Sequence, residues 1–187
     1  MKLFKKNLKI VMVAFVLLFV GVYILFVHFS SPKSDIEIVE AFKKSNYKPI
    51  ISKEMYKSFE FRKLSMQSEI DTTKYTVVFV HGAIGSSIDF KKYMSDSLLN
   101  SKANLISYDR IGYNYEDKHL AQKSIDFEVE VLKKVLKGLE FHRTILVGYS
   151  YGGPIALALK KQFKNIVLLA PAVYSKVEPM PWMVNFY

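Results

Sequence analysis

The stretch Val147-Gly148-Tyr149-Ser150-Tyr151-Gly152-Gly153 constrains this chain more than any other. Before it runs Thr144-Ile145-Leu146-Val147, an apolar, β-branched run that reads as a buried strand. After it, Pro154-Ile155-Ala156-Leu157-Ala158-Leu159 reads as a helix with proline in its first turn, extending to about Phe163. A serine at a sharp strand-to-helix bend sits in strained backbone. Side chains at the flanking positions would collide with the neighbouring strand and helix, and Gly148 and Gly152 remove them. The Ser150 hydroxyl is then expected to stand clear of the sheet, at the positive end of a helix dipole.

The segments around this bend predict a parallel sheet. Tyr75–Val80 is a continuous β-prone run, as for a strand covered on both faces, and ends in His81-Gly82-Ala83. A helix is expected over 88–99. Asn104–Tyr108 is another strand, ending in Asp109-Arg110-Ile111-Gly112. Ile125, Val129, Leu132, Leu136 and Leu139 form one apolar helical stripe, with lysines and glutamates expected opposite. Asn165–Ala170 is a last strand, apolar on both faces. Strands alternating with helices in this way give right-handed βαβ units. Upstream, Phe59-Glu60-Phe61-Arg62 alternates with period two, so one or two antiparallel strands are expected within 55–70. Ser34-Asp35-Ile36-Glu37 has capping-box spacing and predicts a short helix ending near Asn46.

Three motifs at strand ends, His81-Gly82, Asp109-Arg110-x-Gly112 and Gly148-x-Ser150-x-Gly152-Gly153, resemble the α/β-hydrolase fold over about residues 55–180. The resemblance implies an α/β architecture, a mostly parallel sheet with flanking helices. It also implies roles. Ser150 resembles the nucleophile, and the backbone N–H groups of Ala83 and Tyr151 resemble the oxyanion-hole donors. His81 is expected to brace the oxyanion turn, and Asp109 and Arg110 to hold the turn after their strand. Tyr149 is expected to pack, and Tyr151 to wall the pocket. The implied chemistry is hydrolysis of an ester- or amide-type bond in a small-molecule substrate through an acyl-serine, with no metal and no organic cofactor. Serine at the bend disfavours epoxide hydrolysis and dehalogenation, which relatives run from an aspartate.

In this family the catalytic acid and histidine follow the serine in the chain. After Ser150 there is no histidine and one carboxylate, Glu178, ahead of Pro179-Met180-Pro181-Trp182. His119 falls in a loop, and His142 precedes the serine-bearing strand at the far edge. An interior-type strand at 165–170 would also be left at a sheet edge. The expectation is therefore an incomplete α/β-hydrolase fold lacking its C-terminal strands. Three outcomes are weighed: a hydrolase, an inactive fragment acting as a binding module, or a piece completed by a separately encoded C-terminal fragment.

Residues 10–29 run twenty residues without a formal charge, enough to span a bilayer core. The run is longer than the core of a cleaved signal peptide, and Val27-His28-Phe29-Ser30-Ser31 is a poor cleavage site, so an uncleaved membrane anchor is expected. Lys2, Lys5, Lys6 and Lys9 precede it and Lys33 follows, which places the N-terminus in the cytoplasm and the remainder outside the cytoplasmic membrane. The expected organisation is a basic N-terminus (1–9), the span (10–29), a linker and short helix (30–54) and the hydrolase domain (55–187). The chain has no cysteine, which excludes disulfides, thiolate metal sites and a cysteine nucleophile. The formal charge of +10 is scattered without an aromatic-interleaved basic stripe, which argues against nucleic acid. A basic face beside a membrane anchor suits contact with anionic headgroups.

Overall fold

The structure, a computed structural model, describes residues 2–116, 119–122 and 124–172, with side chains of the first helix described from Lys9 to His28. It divides into two units, one ending at Ser31 and the other beginning at Pro32. Glu178 and the Pro179–Trp182 segment lie outside the described residues.

The first unit is helix α1, Lys2–Ser30. Its Lys9–His28 stretch has a mean hydropathy of 3.1 over 20 residues, with none of it buried. At 1.5 Å per residue that length is about 30 Å, the thickness of a bilayer's hydrocarbon core. Among the described residues it is the one helix long and apolar enough to cross a membrane, a property that a signal sequence shares.

The second unit opens with α2, Asp35–Ala41. Ser34 caps it: its hydroxyl accepts from the Glu37 amide at 3.3 Å, and the Glu37 carboxylate accepts from the Ser34 amide at 2.9 Å. The helix is shorter than its apolar spacing predicts, because Phe42 turns out of the helical conformation to cap it and is fully buried. Two antiparallel strands follow, β1 (Ile50–Tyr56) and β2 (Phe59–Ser65). Strands β3 (Tyr75–Val80), β4 (Ala103–Tyr108), β5 (Thr144–Tyr149) and β6 (Asn165–Leu169) are mutually parallel. The sheet order is β1-β2-β4-β3-β5-β6, with β2 antiparallel to β4.

Alternate residues of the central strands feed two cores. Val78, Val80, Ile106, Tyr108 and Leu146 meet α5 (Ile125–Val135) and α6 (Gly152–Ala158) on one face. Phe79, Leu105 and Val147 meet Ile38, Phe42, Phe90 and Met94 on the other. Every residue of β4 is buried, which explains its unbroken apolar character.

Three helical expectations change in detail. The helix expected over 88–99 is a 3-10 turn at Ser87–Phe90, then α3 (Lys91–Met94), then α4 (Ser97–Lys102). The Ser95 hydroxyl bonds back to the Lys91 carbonyl at 2.7 Å, and Asp96 starts a new helix by accepting from the Leu99 amide at 2.8 Å. Helix α6 ends at Ala158, and turns carry the chain to Phe163. On α5, Glu128 is fully buried on the core side with Leu132, and not opposite the apolar stripe. Among the described residues β6 pairs with β5 alone and lies at the sheet edge, with Val167 exposed.

Candidate active site

The carboxyl ends of β3, β4 and β5 deliver His81-Gly82-Ala83, Asp109-Arg110 and Tyr149–Gly153 to one edge of the sheet, where ligands bind in open α/β sheets. Ser150 has φ 49°, in the left-handed region that non-glycine residues rarely occupy. The backbone around it is closely tied. The Ser150 amide donates to the Leu169 carbonyl at 3.0 Å, and the Ser150 carbonyl accepts from the amides of Gly153 and Ala172 at 3.0 and 2.9 Å. These bonds fix the bend against β6, and the side chain is half-buried.

The glycines are demanded by close approach. A Cβ on Gly152 would lie 2.1 Å from the Val80 carbonyl oxygen, and one on Gly148 would lie 2.6 Å from the Gly152 oxygen. A Cβ on Gly82 would lie 2.8 Å from Ser150 Cβ and 3.3 Å from its Oγ. The turn after β3 therefore rests directly on the serine. Ile84, in the same turn, also has positive φ, 52°, an unusual conformation for a β-branched residue.

Beneath this turn lies a buried polar network. The Arg110 amide donates to His81 Nε2 at 2.9 Å, so Nε2 carries no proton. Nδ1 then holds the proton and donates to the Gly82 carbonyl at 2.8 Å. Burial, reinforced by the Arg110 charge, holds the His81 pKa well below its ordinary value and keeps this neutral tautomer. Arg110 Nη2 donates to the same Gly82 carbonyl at 3.0 Å, and Nη1 reaches Glu128 Oε1 at 3.2 Å. The guanidinium carbon lies 4.4 Å from the Tyr113 ring centre and 4.8 Å from that of Tyr151. Burial pushes the Glu128 pKa up to about 7, against the pull of Arg110.

A second cluster adjoins it. Asp109 Oδ1 accepts from the Ser87 amide at 2.6 Å and Oδ2 from Arg62 Nε at 2.7 Å. Arg62 Nη1 donates to the Lys33 carbonyl and to Asp35, each at 2.8 Å. Burial raises the Asp109 pKa, opposed by Arg62 and the Ser87 amide.

Ser150, His81, Gly82, Ala83, Asp109, Arg110, Gly148, Tyr151 and Gly152 thus gather at one sheet edge. Tyr149 is exposed at the end of β5 and is not a core packing residue, because it lies one residue past the register with β3 and pairs only with Leu169 of the edge strand β6. His142 lies in the 3-10 turn before β5, at the opposite edge, exposed and 3.3 Å from Glu140. His119 is exposed, its ring 4.7 Å from that of Phe59. Arg62 and Glu128 are the buried members of the networks that the motifs do not reveal. A carboxylate at the helical spacing of Ile125 and Leu132 is the one available signal for Glu128. Arg62 lies 47 residues before its partner Asp109, and no local pattern joins them. Among the described residues no three potential metal-ligating side chains cluster.

The alpha/beta hydrolase fold family profile matches residues 75–185. An uncharacterized hydrolase of Bacillus subtilis (strain 168), YugF, is 32% identical over 111 residues, 55% of this chain and 39% of the relative. A proline iminopeptidase of Saccharolobus solfataricus is 31% identical over 114 residues, 58% of this chain and 36% of the relative. The chain thus spans well under half the length of these curated relatives. Among solved structures, the haloalkane dehalogenase DatA from Agrobacterium tumefaciens C58 superposes with a TM-score of 0.57 at 16% identity, over 74% of this chain and 47% of that one. A membrane phospholipase A described as a bacterial virulence factor superposes with a TM-score of 0.60 at 15% identity, over 91% of this chain and 54% of that one. At these identities the likeness is one of fold.

Proposed function

This chain belongs to the α/β-hydrolase fold family, and from that premise we propose that it is a membrane-anchored serine hydrolase whose nucleophile is Ser150. The observation that carries the reading is Ser150 itself. It sits at φ 49° between β5 and α6, and the Gly82–Ala83 turn is laid against its side chain. Backbone strain of about 1–3 kcal/mol persists where the surrounding structure over-determines it, commonly at functional sites.

In the proposed reaction Ser150 Oγ attacks the carbonyl carbon of an ester or amide, and its proton passes to a base. The oxyanion is met by the amides of Ala83 and Tyr151. The tetrahedral intermediate collapses to an acyl-serine as the alcohol or amine leaves, and water then releases the acid. Each preorganised donor of this kind contributes about 10²–10³ in rate. The Gly82 carbonyl and the Ala83 amide belong to one trans peptide, so they point in opposite directions. His81 and Arg110 both donate to that carbonyl, which turns the Ala83 N–H away from them. This is the sense in which His81 and Arg110 serve the site: they hold a peptide plane.

A base for Ser150 is not offered by the histidines of the described residues. Both His81 nitrogens are engaged, His142 is at the opposite edge, His28 is in the apolar helix, and the His119 ring lies 4.7 Å from Phe59 of β2, three strands away from β5. That observation favours a second reading, in which the 187-residue chain forms the nucleophile half of the site but does not turn over unless a further segment or separate fragment supplies acid and base. A fluorophosphonate probe tests the first reading. Labelling that disappears in Ser150→Ala supports it, and an unlabelled, folded chain overturns it. Labelling without turnover of a soluble ester selects the second.

The anchor reading rests on the 20-residue span and the lysines before it, with the N-terminus in the cytoplasm and the hydrolase unit outside.

A further inference from the structure

The turn between α5 and β5 forms one wall of an apolar groove on the face of the sheet that α5 and α6 cover. The groove has a volume of about 500 Å³, within the range of small-molecule sites. Tyr56, Leu136, Leu139, Phe141 and Phe163 line it. The Phe141 and Phe163 rings meet edge-to-face at 5.1 Å, yet Phe141 remains 56% exposed. Gly138, also in the lining, borders open space, since a Cβ there would meet no atom within 4 Å. The 3-10 turn Phe141–Arg143 precedes β5 and Ser150 follows it, so the groove and Ser150 lie at opposite ends of a six-residue strand, about 20 Å apart.

The rim carries one dominant charge. Lys133, Lys134 and Lys137 line the groove, and Lys57 Nζ stands 5.3 Å from the centre of the Tyr56 ring. Two glutamates belong to the same stretch of chain, and both have partners: Glu130, in the lining, lies 2.6 Å from Lys133, and Glu140 lies 3.3 Å from His142. Among the described residues Lys134 and Lys137 have no carboxylate partner. Lys160, Lys161 and Lys164 flank Gln162 and Phe163, which also line the groove. Lysines in the last turn of a helix offset its dipole, equivalent to about half a negative charge at that end. Three lysines, one of them paired, exceed that charge, so the groove presents net positive charge beside an apolar wall.

We propose that this groove binds an amphiphilic organic anion, its apolar body laid on Leu139, Phe141 and Phe163 and its charged head at Lys134 and Lys137. An inorganic anion leaves the exposed Phe141 ring in water, and a neutral amphiphile leaves two lysines without a counter-charge. A protein partner needs a contact of about 800 Å² on each side, whereas the apolar exposure here is confined to one bounded groove. Every contact involved lies within the second unit, and none includes Ser150.

The full chain is held in phosphatidylcholine nanodiscs and irradiated with benzoylbenzoate, a photoreactive aryl carboxylate, or with the corresponding neutral alcohol. Tandem mass spectrometry maps the labelled residues. Labelling over 138–143 is read as a ratio to labelling at Leu98, an exposed apolar residue on α4. The carboxylate is expected to give a several-fold higher ratio than the alcohol. Neither lysine is buried, and melting curves check that each variant is folded. Lys134→Glu with Lys137→Glu is expected to cut the carboxylate ratio about tenfold, and Lys134→Gln with Lys137→Gln about threefold, since one surface charge contact counts for a factor of roughly 1.5–5. Equal ratios for acid and alcohol, or a ratio unchanged by both pairs of substitutions, overturn the anion site. So does labelling over 138–143 no stronger than at Leu98. A ratio abolished when phosphatidylglycerol replaces phosphatidylcholine assigns the groove to an anionic bilayer surface, and one abolished by raising the number of chains per disc assigns it to a second copy. Either result overturns the small-molecule occupant.

Discussion

The Gly82 carbonyl accepts two buried donors, and one of them, Arg110, is itself held by Glu128 and lies against the rings of Tyr113 and Tyr151. One guanidinium therefore touches residues on both sides of the proposed oxyanion site. Glu128 meets Arg110 through Oε1, while among the described residues Oε2 is buried without a hydrogen-bond partner. A half-satisfied buried carboxylate bears much of its desolvation cost, which is why its pKa rises from 4.5 to about 7. Between about pH 4.5 and 7 the folded chain holds a proton on Glu128 that the unfolded chain has released, so this group's contribution to stability falls as pH rises through that window and then levels. His81, with its pKa lowered, acts the other way: its contribution is lost as pH falls below its ordinary value of 6.5. Comparing wild type with Glu128→Gln cancels the histidine, which both proteins share. The stability of wild type relative to the variant should drop from pH 5 through pH 7 and level off above about pH 8. Melting temperatures across that range check it, and two parallel curves would mean that Glu128 does not titrate there.

At the scale of elements, the bend works only if β5, α6 and β3 approach without side chains between them. A methyl on Gly152 would meet the Val80 oxygen at 2.1 Å, the Val80 carbonyl carbon at 2.7 Å and the His81 oxygen at 2.8 Å. All three are backbone atoms of a central strand and the residue after it, and no rotamer can relieve the clash. Gly152→Ala should destabilise the fold by about 2–3 kcal/mol or more, read as a lower urea midpoint. An unchanged midpoint would show that α6 can slide away from β3, and the tight elbow would lose its rationale. This crowding was legible in the sequence, because G-x-S-x-G between a strand and a helix is a local pattern. So were the parallel strands, whose apolar runs match Tyr75–Val80 to the residue and Asn104–Tyr108 to within one. What local pattern could not show is where two elements distant in sequence exchange charge. Arg62 sits in a strand of alternating character, and nothing beside it announces Asp109. Glu128 looked like part of a solvated helix face because α5 carries glutamates and lysines on several sides. The broken helix at 87–102 shows the same limit: Ser95 and Asp96 are ordinary polar residues until their hydrogen bonds end one helix and start the next.

For the whole molecule, the two units differ in character, one an apolar helix and the other an α/β sheet unit. The apolar stretch ends at His28, and within the second unit Arg62 holds the Lys33 carbonyl. Which side of the membrane the second unit occupies is set by neither of these. Under the proposed anchor reading it follows from charge: Lys2, Lys5, Lys6 and Lys9 crowd one end of the span, and translocating four lysines is less favourable than translocating the end where Lys33 is the nearest basic residue. The cysteine-free chain makes this directly measurable. In Lys137→Cys, the single thiol should react with a membrane-impermeant maleimide in intact cells whose outer permeability barrier has been opened, at the full chain mass. A cysteine placed at Lys5 should react only after lysis. The reverse pattern would put the second unit in the cytoplasm, and the lysine asymmetry would then be outweighed by the folding of a unit that fails to translocate. A reactive Lys137→Cys product shorter by about thirty residues would mean that the span is removed as a signal sequence.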